Sequence, residues 1–151
     1  MVHIRSKLVT LATVALLAAC GGTPTDDGGN GNGGGTTRVI LTNPSFATDI
    51  QEIFGRRGCT ASGCHGSAMM GGLGLASAAA SFANLVNVPS VAVNGPPGLD
   101  RVEPDDIAAS YLWLKVSGTT AGDRMPLGLP PLDDIDQTNI MNWINTGALD
   151  N

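Results

Sequence analysis

At 151 residues the chain has room for one domain and a short appendage. It carries 8 basic and 13 acidic residues, a balance that excludes nucleic-acid binding, which selects basic patches. With 21 glycines and few aromatics, the domain builds little aromatic core of its own, and a bound apolar group would supply what is missing.

Met1 to Lys7 holds Arg5 and Lys7, and Leu8 to Ala19 is an uncharged, mostly apolar run of twelve. That is short of the about 20 residues that span a bilayer, but it fits the apolar region of an export signal. The run ends Leu17-Ala18-Ala19-Cys20-Gly21, which resembles the bacterial lipoprotein cleavage box. The resemblance implies a cut before Cys20 and acylation of its sulfur and new amino group; several acyl chains anchor stably where one would not. An ordinary secretory signal with an incidental cysteine is the alternative. Loss of residues 1–19 removes Arg5 and Lys7 and leaves 6 basic against 13 acidic residues, a net −7. Such a surface suits a partner with a positive docking face, and solubility alone also accounts for it.

Eight of the seventeen residues from Gly21 to Thr37 are glycine, and no apolar periodicity runs through them. The segment cannot bury enough surface to fold. As a coil it is a tether of roughly 20–25 Å. The expected organisation is a signal peptide at 1–19, a lipidated cysteine with linker at 20–37, and one domain at 38–151.

Within the domain, Arg38 to Leu41 is the one candidate strand. Phe46, Ile50, Ile53 and Phe54 share one helical face, with Ser45 or Asn43 as its cap. This helix runs into Gly55 and Gly58 and delivers the chain to Cys59-Thr60-Ala61-Ser62-Gly63-Cys64-His65-Gly66. Two cysteines with a histidine directly after the second are what a chain needs to hold a haem covalently. Each sulfur adds to one vinyl group, and the next imidazole becomes the proximal iron ligand. The commonest spacing leaves two residues between the cysteines, and here there are four, all small or permissive enough to bulge. A disulfide between Cys59 and Cys64 is the competing reading in an exported protein. A zinc site lacks ligands, since the chain has three cysteines and two histidines, with Cys20 and His3 in the export segment.

A loop with Met69-Met70-Gly71-Gly72-Leu73-Gly74-Leu75 follows, in which alternating Gly and Leu permits close approach to a flat apolar object. Ser77 to Val86 reads as a short helix and Val88 to Pro104 as loop. Asp105 to Val116 reads as a helix, with Asp105 and Asp106 in its first turn, Lys115 in its last, and Ile107, Tyr111 and Leu114 on one face. Gly118 to Pro131 is loop again. Asp133 to Thr146 is the last helix, with Asp133 or Asp134 at its start, Ile140, Trp143 and Ile144 as its apolar stripe and Gly147 as its stop.

A haem on His65 has a sixth position to fill, and the rest of the chain offers Met69, Met70, Met125 and Met141. Met69 and Met70 follow His65 by only four and five residues. At roughly 3.3–3.6 Å per residue, rounding a macrocycle would leave them almost no slack. Met141 falls on the polar face of the last helix. Met125, in the loop Asp123-Arg124-Met125-Pro126 and sixty residues after His65, meets neither objection and is the favoured ligand. A His–Met pair suits electron transfer.

At this point the chain resembles class I c-type cytochromes, in particular the short cytochrome c domains frequent in planctomycete and related bacterial proteins. The matching run begins at Ile53-Phe54 and takes in Cys59…Cys64-His65-Gly66, Gly71-Gly72-Leu73 and Leu85-Val86. It continues with Arg101-Val102-x-Pro104, Ser110-Tyr111-Leu112, Lys115, Arg124-Met125-Pro126 and Leu132, then Ile140-x-x-Trp143-Ile144-x-x-Gly147-Ala148, about 95 residues in all. The resemblance implies an all-α, cytochrome c-like fold in which the first and last helices pack together and one covalent haem c lies between them and the Met125 loop.

The expectation is therefore a lipid-anchored, mono-haem electron carrier of the bacterial cell envelope, facing the periplasm or on the outer membrane. It would exchange single electrons with redox protein partners and would not be an enzyme. Gly21 lacks the Asp that signals inner-membrane retention in some bacteria. Two readings compete: a haem c peroxidase or sensor with a labile Met125 ligand, and a haemless, disulfide-stapled lipoprotein serving as a binding module.

Overall fold

A computed structural model describes residues 37–91, 98–120 and 122–151. The export signal, Cys20 and nearly all of the linker lie outside them. The described chain is all-α. A π-helical turn, Phe46–Ile50, runs straight into helix α1, Gln51–Arg56; α2 is Ala78–Leu85, α3 Tyr111–Ser117 and α4 Asp134–Asn145. A single 3-10 turn, Met70–Gly72, lies between α1 and α2. Among the described residues there are four isolated β-bridges and no strand. Among the described residues no helix is long and apolar enough to cross a membrane.

The face expected from Phe46, Ile50, Ile53 and Phe54 is the one that is buried, and it meets the stripe Ile140, Trp143 and Ile144 of α4. Phe46 is the hub. Its ring lies 5.0 Å from that of Trp143 and edge-on to Phe82 at 5.2 Å and Phe54 at 6.4 Å. Each buried Phe-sized side chain contributes about 1.5–3 kcal/mol, so this contact helps to hold the first helix against the last. Asp133 caps α4, its Oδ1 accepting from the Asp136 N–H, and Gly147 stops it at φ 95°. Ser77 caps α2 in the same way, accepting from the Ala80 N–H.

Three local expectations are overturned. Neither Ser45 nor Asn43 caps the first helix: Asn151 Oδ1 accepts from the Phe46 N–H, and the Asn151 carbonyl accepts from the Ala47 N–H and from Ser45 Oγ. Arg38 to Leu41 is not a strand but an extended strap on α4, held by the side chains of Asn139 and Asn142. The helix at 105–116 begins only at Tyr111. Asp105 sits at φ 65°, in the left-handed region, and Asp106 turns its carboxylate onto the N–H groups of Ala108 and Ala109. The acidic pair thus builds a turn, not a first helical turn.

A buried ion-pair network joins α1 to α4. Asp136, 1 % exposed, receives Arg57 Nε at 2.5 Å, Arg56 Nη2 at 2.7 Å and Arg38 Nη1 at 3.3 Å. Asp133 takes Arg38 and the second arm of Arg57. Arg57 stands two residues before Cys59, so the network fixes the end of α1 where the cysteine segment leaves it.

Candidate functional site

The cysteine segment is closed on itself by backbone hydrogen bonds. Cys59 N–H donates to Phe54 O and Cys64 N–H to Ala61 O; His65 N–H returns to Cys59 O at 3.1 Å. The four intervening residues are thereby taken up in a compact turn, and Cys59 is brought beside the Cys64-His65 pair. Gly66 has no latitude, because an added Cβ would meet the carbonyl of Thr60 far inside contact distance. Gly66→Ala should therefore cost about 1–3 kcal/mol, seen as a lower urea midpoint. Gly63→Ala, where a Cβ meets nothing within 4 Å, should unfold like the parent protein; equal midpoints for the two would contradict this packing.

Beside the segment lies a cavity of about 520 Å³, within the range of sites for cofactor-sized molecules. Cys59, Cys64, His65 and Met125 all line it, and so do Met70 and a wall of Phe54, Leu73, Leu75, Leu85, Val116 and Leu132. The loop carrying Met125 is pinned to the end of α3, with Met125 N–H donating to Lys115 O at 2.9 Å and Lys115 Nζ donating to the Asp123 carbonyl. Met69 and Met141 are not part of the wall; Met69 is exposed and Met141 half-buried.

Comparison with protein-family models, curated proteins and solved structures finds no match.

His65 Nδ1 lies 2.9 Å from the Met70 carbonyl. A carbonyl only accepts, so Nδ1 carries the proton and Nε2 keeps its lone pair. Burial holds the His65 pKa below the ordinary value; the carbonyls of Met70 and Leu73 pull it up, and the Arg101 charge adds to the lowering. Desolvation pushes the Cys59 thiol up to about 11, so it is a neutral thiol at pH 7 and not a thiolate nucleophile. Cys59 is free. Cys59 does not pair with Cys64, so the two do not close a small loop between them. Among the described residues no three His, Cys, Asp or Glu side chains stand together as a zinc site would require.

The polar members of the wall are Ser90, Arg101, Tyr111 and Lys115, with His65. Sequence reasoning placed Arg101 and Lys115 in the matching run but gave neither a part in the site. No local signal marks them, since what brings Arg101 to the cavity is pairing at a distance: Leu112 N–H donates to Arg101 O, and Arg101 N–H to Val88 O.

Proposed function

We propose that this chain is a mono-haem c-type cytochrome, anchored by lipid at Cys20 outside the cytoplasmic membrane and exchanging single electrons with redox proteins. One observation carries the reading: Cys59, Cys64, His65 and Met125, spread over 67 residues of sequence, all line one apolar cavity. The fit is chemical as well as spatial. Two sulfurs, one imidazole and one thioether are the donor set of a covalent His–Met haem. The Leu and Phe walls match the flat apolar body of a porphyrin.

Cys59 and Cys64 would each add S–H across a vinyl double bond, sulfur to one carbon and hydrogen to the other, with no net oxidation. His65 Nε2 and Met125 Sδ would hold the iron, with Met70 O keeping the imidazole in register through Nδ1. Bound haem supplies iron that cycles between ferrous and ferric forms. Two protein donors held to the iron would favour electron transfer over catalysis.

One measurement separates this reading from the haemless rival. Intact mass and haem staining of the full chain, reduced and denatured, should give one haem per chain, because thioethers survive both treatments and disulfides do not. The Cys59→Ala, Cys64→Ala double variant should lose the stain completely. A reduced chain of unmodified domain mass would overturn the proposal.

A further inference from the structure

His65 is held from two sides by the segment that follows it. The Met70 carbonyl lies 2.9 Å from its Nδ1, and Leu75 N–H donates to its carbonyl at 2.6 Å. That segment has little stability of its own. Met69, Gly71 and Gly72 stand at φ 46°, 66° and 67°, in the left-handed region, where Met69 lacks a glycine's freedom. Inside it run a bond from Gly72 N–H to Met69 O at 2.8 Å and a long one from Leu73 N–H to Met70 O at 3.4 Å. Three side chains from elsewhere in the fold take its later carbonyls. Arg101 Nη2 donates to Gly72 O at 3.0 Å, Asn84 Nδ2 to Gly74 O at 3.1 Å and Gln51 Nε2 to Leu75 O at 3.1 Å. Gln51 opens α1 and Asn84 is the last residue but one of α2. Arg101 ties itself to α2 as well, its Nη1 donating to Asn84 O at 2.7 Å, and its own backbone is fixed between Val88 O and Leu112 N–H.

We infer that Gln51, Asn84 and Arg101 brace segment 70–75 as a holder for His65, and are positioning residues for its imidazole although none of them hydrogen-bonds to the ring. An imidazole bonded through Nδ1 does not turn freely, so its setting follows the place of the Met70 carbonyl. That carbonyl sits on backbone that is disfavoured when left to itself, and the brace fixes it by tying three successive stretches of the segment to α1, α2 and the chain before α3. The setting of His65 is thereby coupled to the packing of the whole domain. Gln51 and Asn84 do not line the cavity and carry no charge, so removing either changes the holder without touching what the cavity binds. The value of a fixed imidazole as an iron ligand rests on the haem reading above; the brace itself is a property of the chain.

The test joins residue-by-residue amide exchange in the reduced full chain to the low-spin ferric electron resonance signal of the same samples, with haem counted on each. Asn84→Leu and Gln51→Leu keep most of the bulk and lose the donor, and the second keeps the test open if the first fails to fold. The amides of Met70 and Leu75, which close on Cys64 O and His65 O, should exchange about tenfold faster in either variant, as loss of one hydrogen bond allows. Those of Ile140 and Ile144 in α4 should keep their parental rates. The ferric signal, which reads the setting of the imidazole, should shift or broaden. Asn84→Gln still donates and should bring both readouts part of the way back. Equal acceleration at Leu75 and in α4 would make Asn84 and Gln51 general stabilisers and overturn the inference. So would parental exchange at Met70 and Leu75 in both variants, or faster exchange with an unchanged ferric signal. A parent protein without haem would overturn the cytochrome reading, while exchange at Met70 and Leu75 would still decide the brace.

Discussion

Replacing Asp136 with Ala should lower stability by about 3–5 kcal/mol, the cost of stripping the partner from buried charges. That is a large share of the roughly 5–15 kcal/mol that holds a domain together. The carboxylate is 1 % exposed and serves guanidinium groups of Arg38, Arg56 and Arg57 at once. Removing it leaves Arg57 with Asp133 alone, and Arg56 with only the exposed Glu52. Asp136→Asn keeps the volume but offers an amide to groups that only donate, so it should recover little. Arg38→Ala should cost about 1 kcal/mol or less, because its side chain is 37 % exposed and solvent screens the pair. Urea unfolding of the three variants should rank them in that order, with unchanged slope. An Asp136→Ala midpoint within about 1 kcal/mol of the parent protein would mean that the network is not what ties α1 to α4.

The same network sets a direction for acid sensitivity. Burial raises the Asp133 pKa, but the Asp136 N–H, the Arg38 hydrogen bond and the charges of Arg57 and Arg38 outweigh it, and the carboxyl ends below its ordinary value. A depressed carboxyl stabilises the fold at pH above its unfolded value and loses that contribution as pH falls through the folded one.

What the sequence made legible was whatever is written locally. Helix α4 has its cap, its 3.6-residue stripe and its glycine stop within fifteen residues of one another, and the structure returns all three. The cysteine–histidine segment is equally local. The cap of the first helix was not legible, because its acceptor is Asn151, 105 residues from Phe46. The acids at 105 and 106 look like those at 133 and 134, yet only the second pair starts a helix. The difference is a left-handed φ at Asp105 and a side-chain turn at Asp106, which composition does not encode. Asp136 passed as one more polar residue on α4 because its three arginines lie between 79 and 98 positions away. Arg101 was visible as a letter in a motif; its bonds to the Asn84 and Gly72 carbonyls are visible only in three dimensions.

Met125→Ala should abolish the long-wavelength Met–iron charge-transfer band of the haem-loaded protein and open the sixth position to water or an added ligand. Sequence distance singled this methionine out, and the fold is consistent with the choice. Met125 lines the cavity, on a loop held at the end of α3 by its own N–H to Lys115 O. Met70 also lines the cavity and is the rival worth testing, but its carbonyl binds His65 Nδ1 and its side chain is 57 % exposed. A thioether favours ferrous over ferric iron, so Met125→His should keep the iron six-coordinate and low-spin while lowering the midpoint potential. Haem attachment should be unchanged in both variants, because it depends on Cys59 and Cys64. Met69→Ala, Met70→Ala and Met141→Ala should leave the spectrum close to the parent's. If Met70→Ala removed the band and Met125→Ala spared it, the ligand would be the residue five positions after His65, and the reach argument would have failed. If none of the four removed it, the second axial ligand would not be a methionine, and a peroxidase or sensor with an open site would become the better reading.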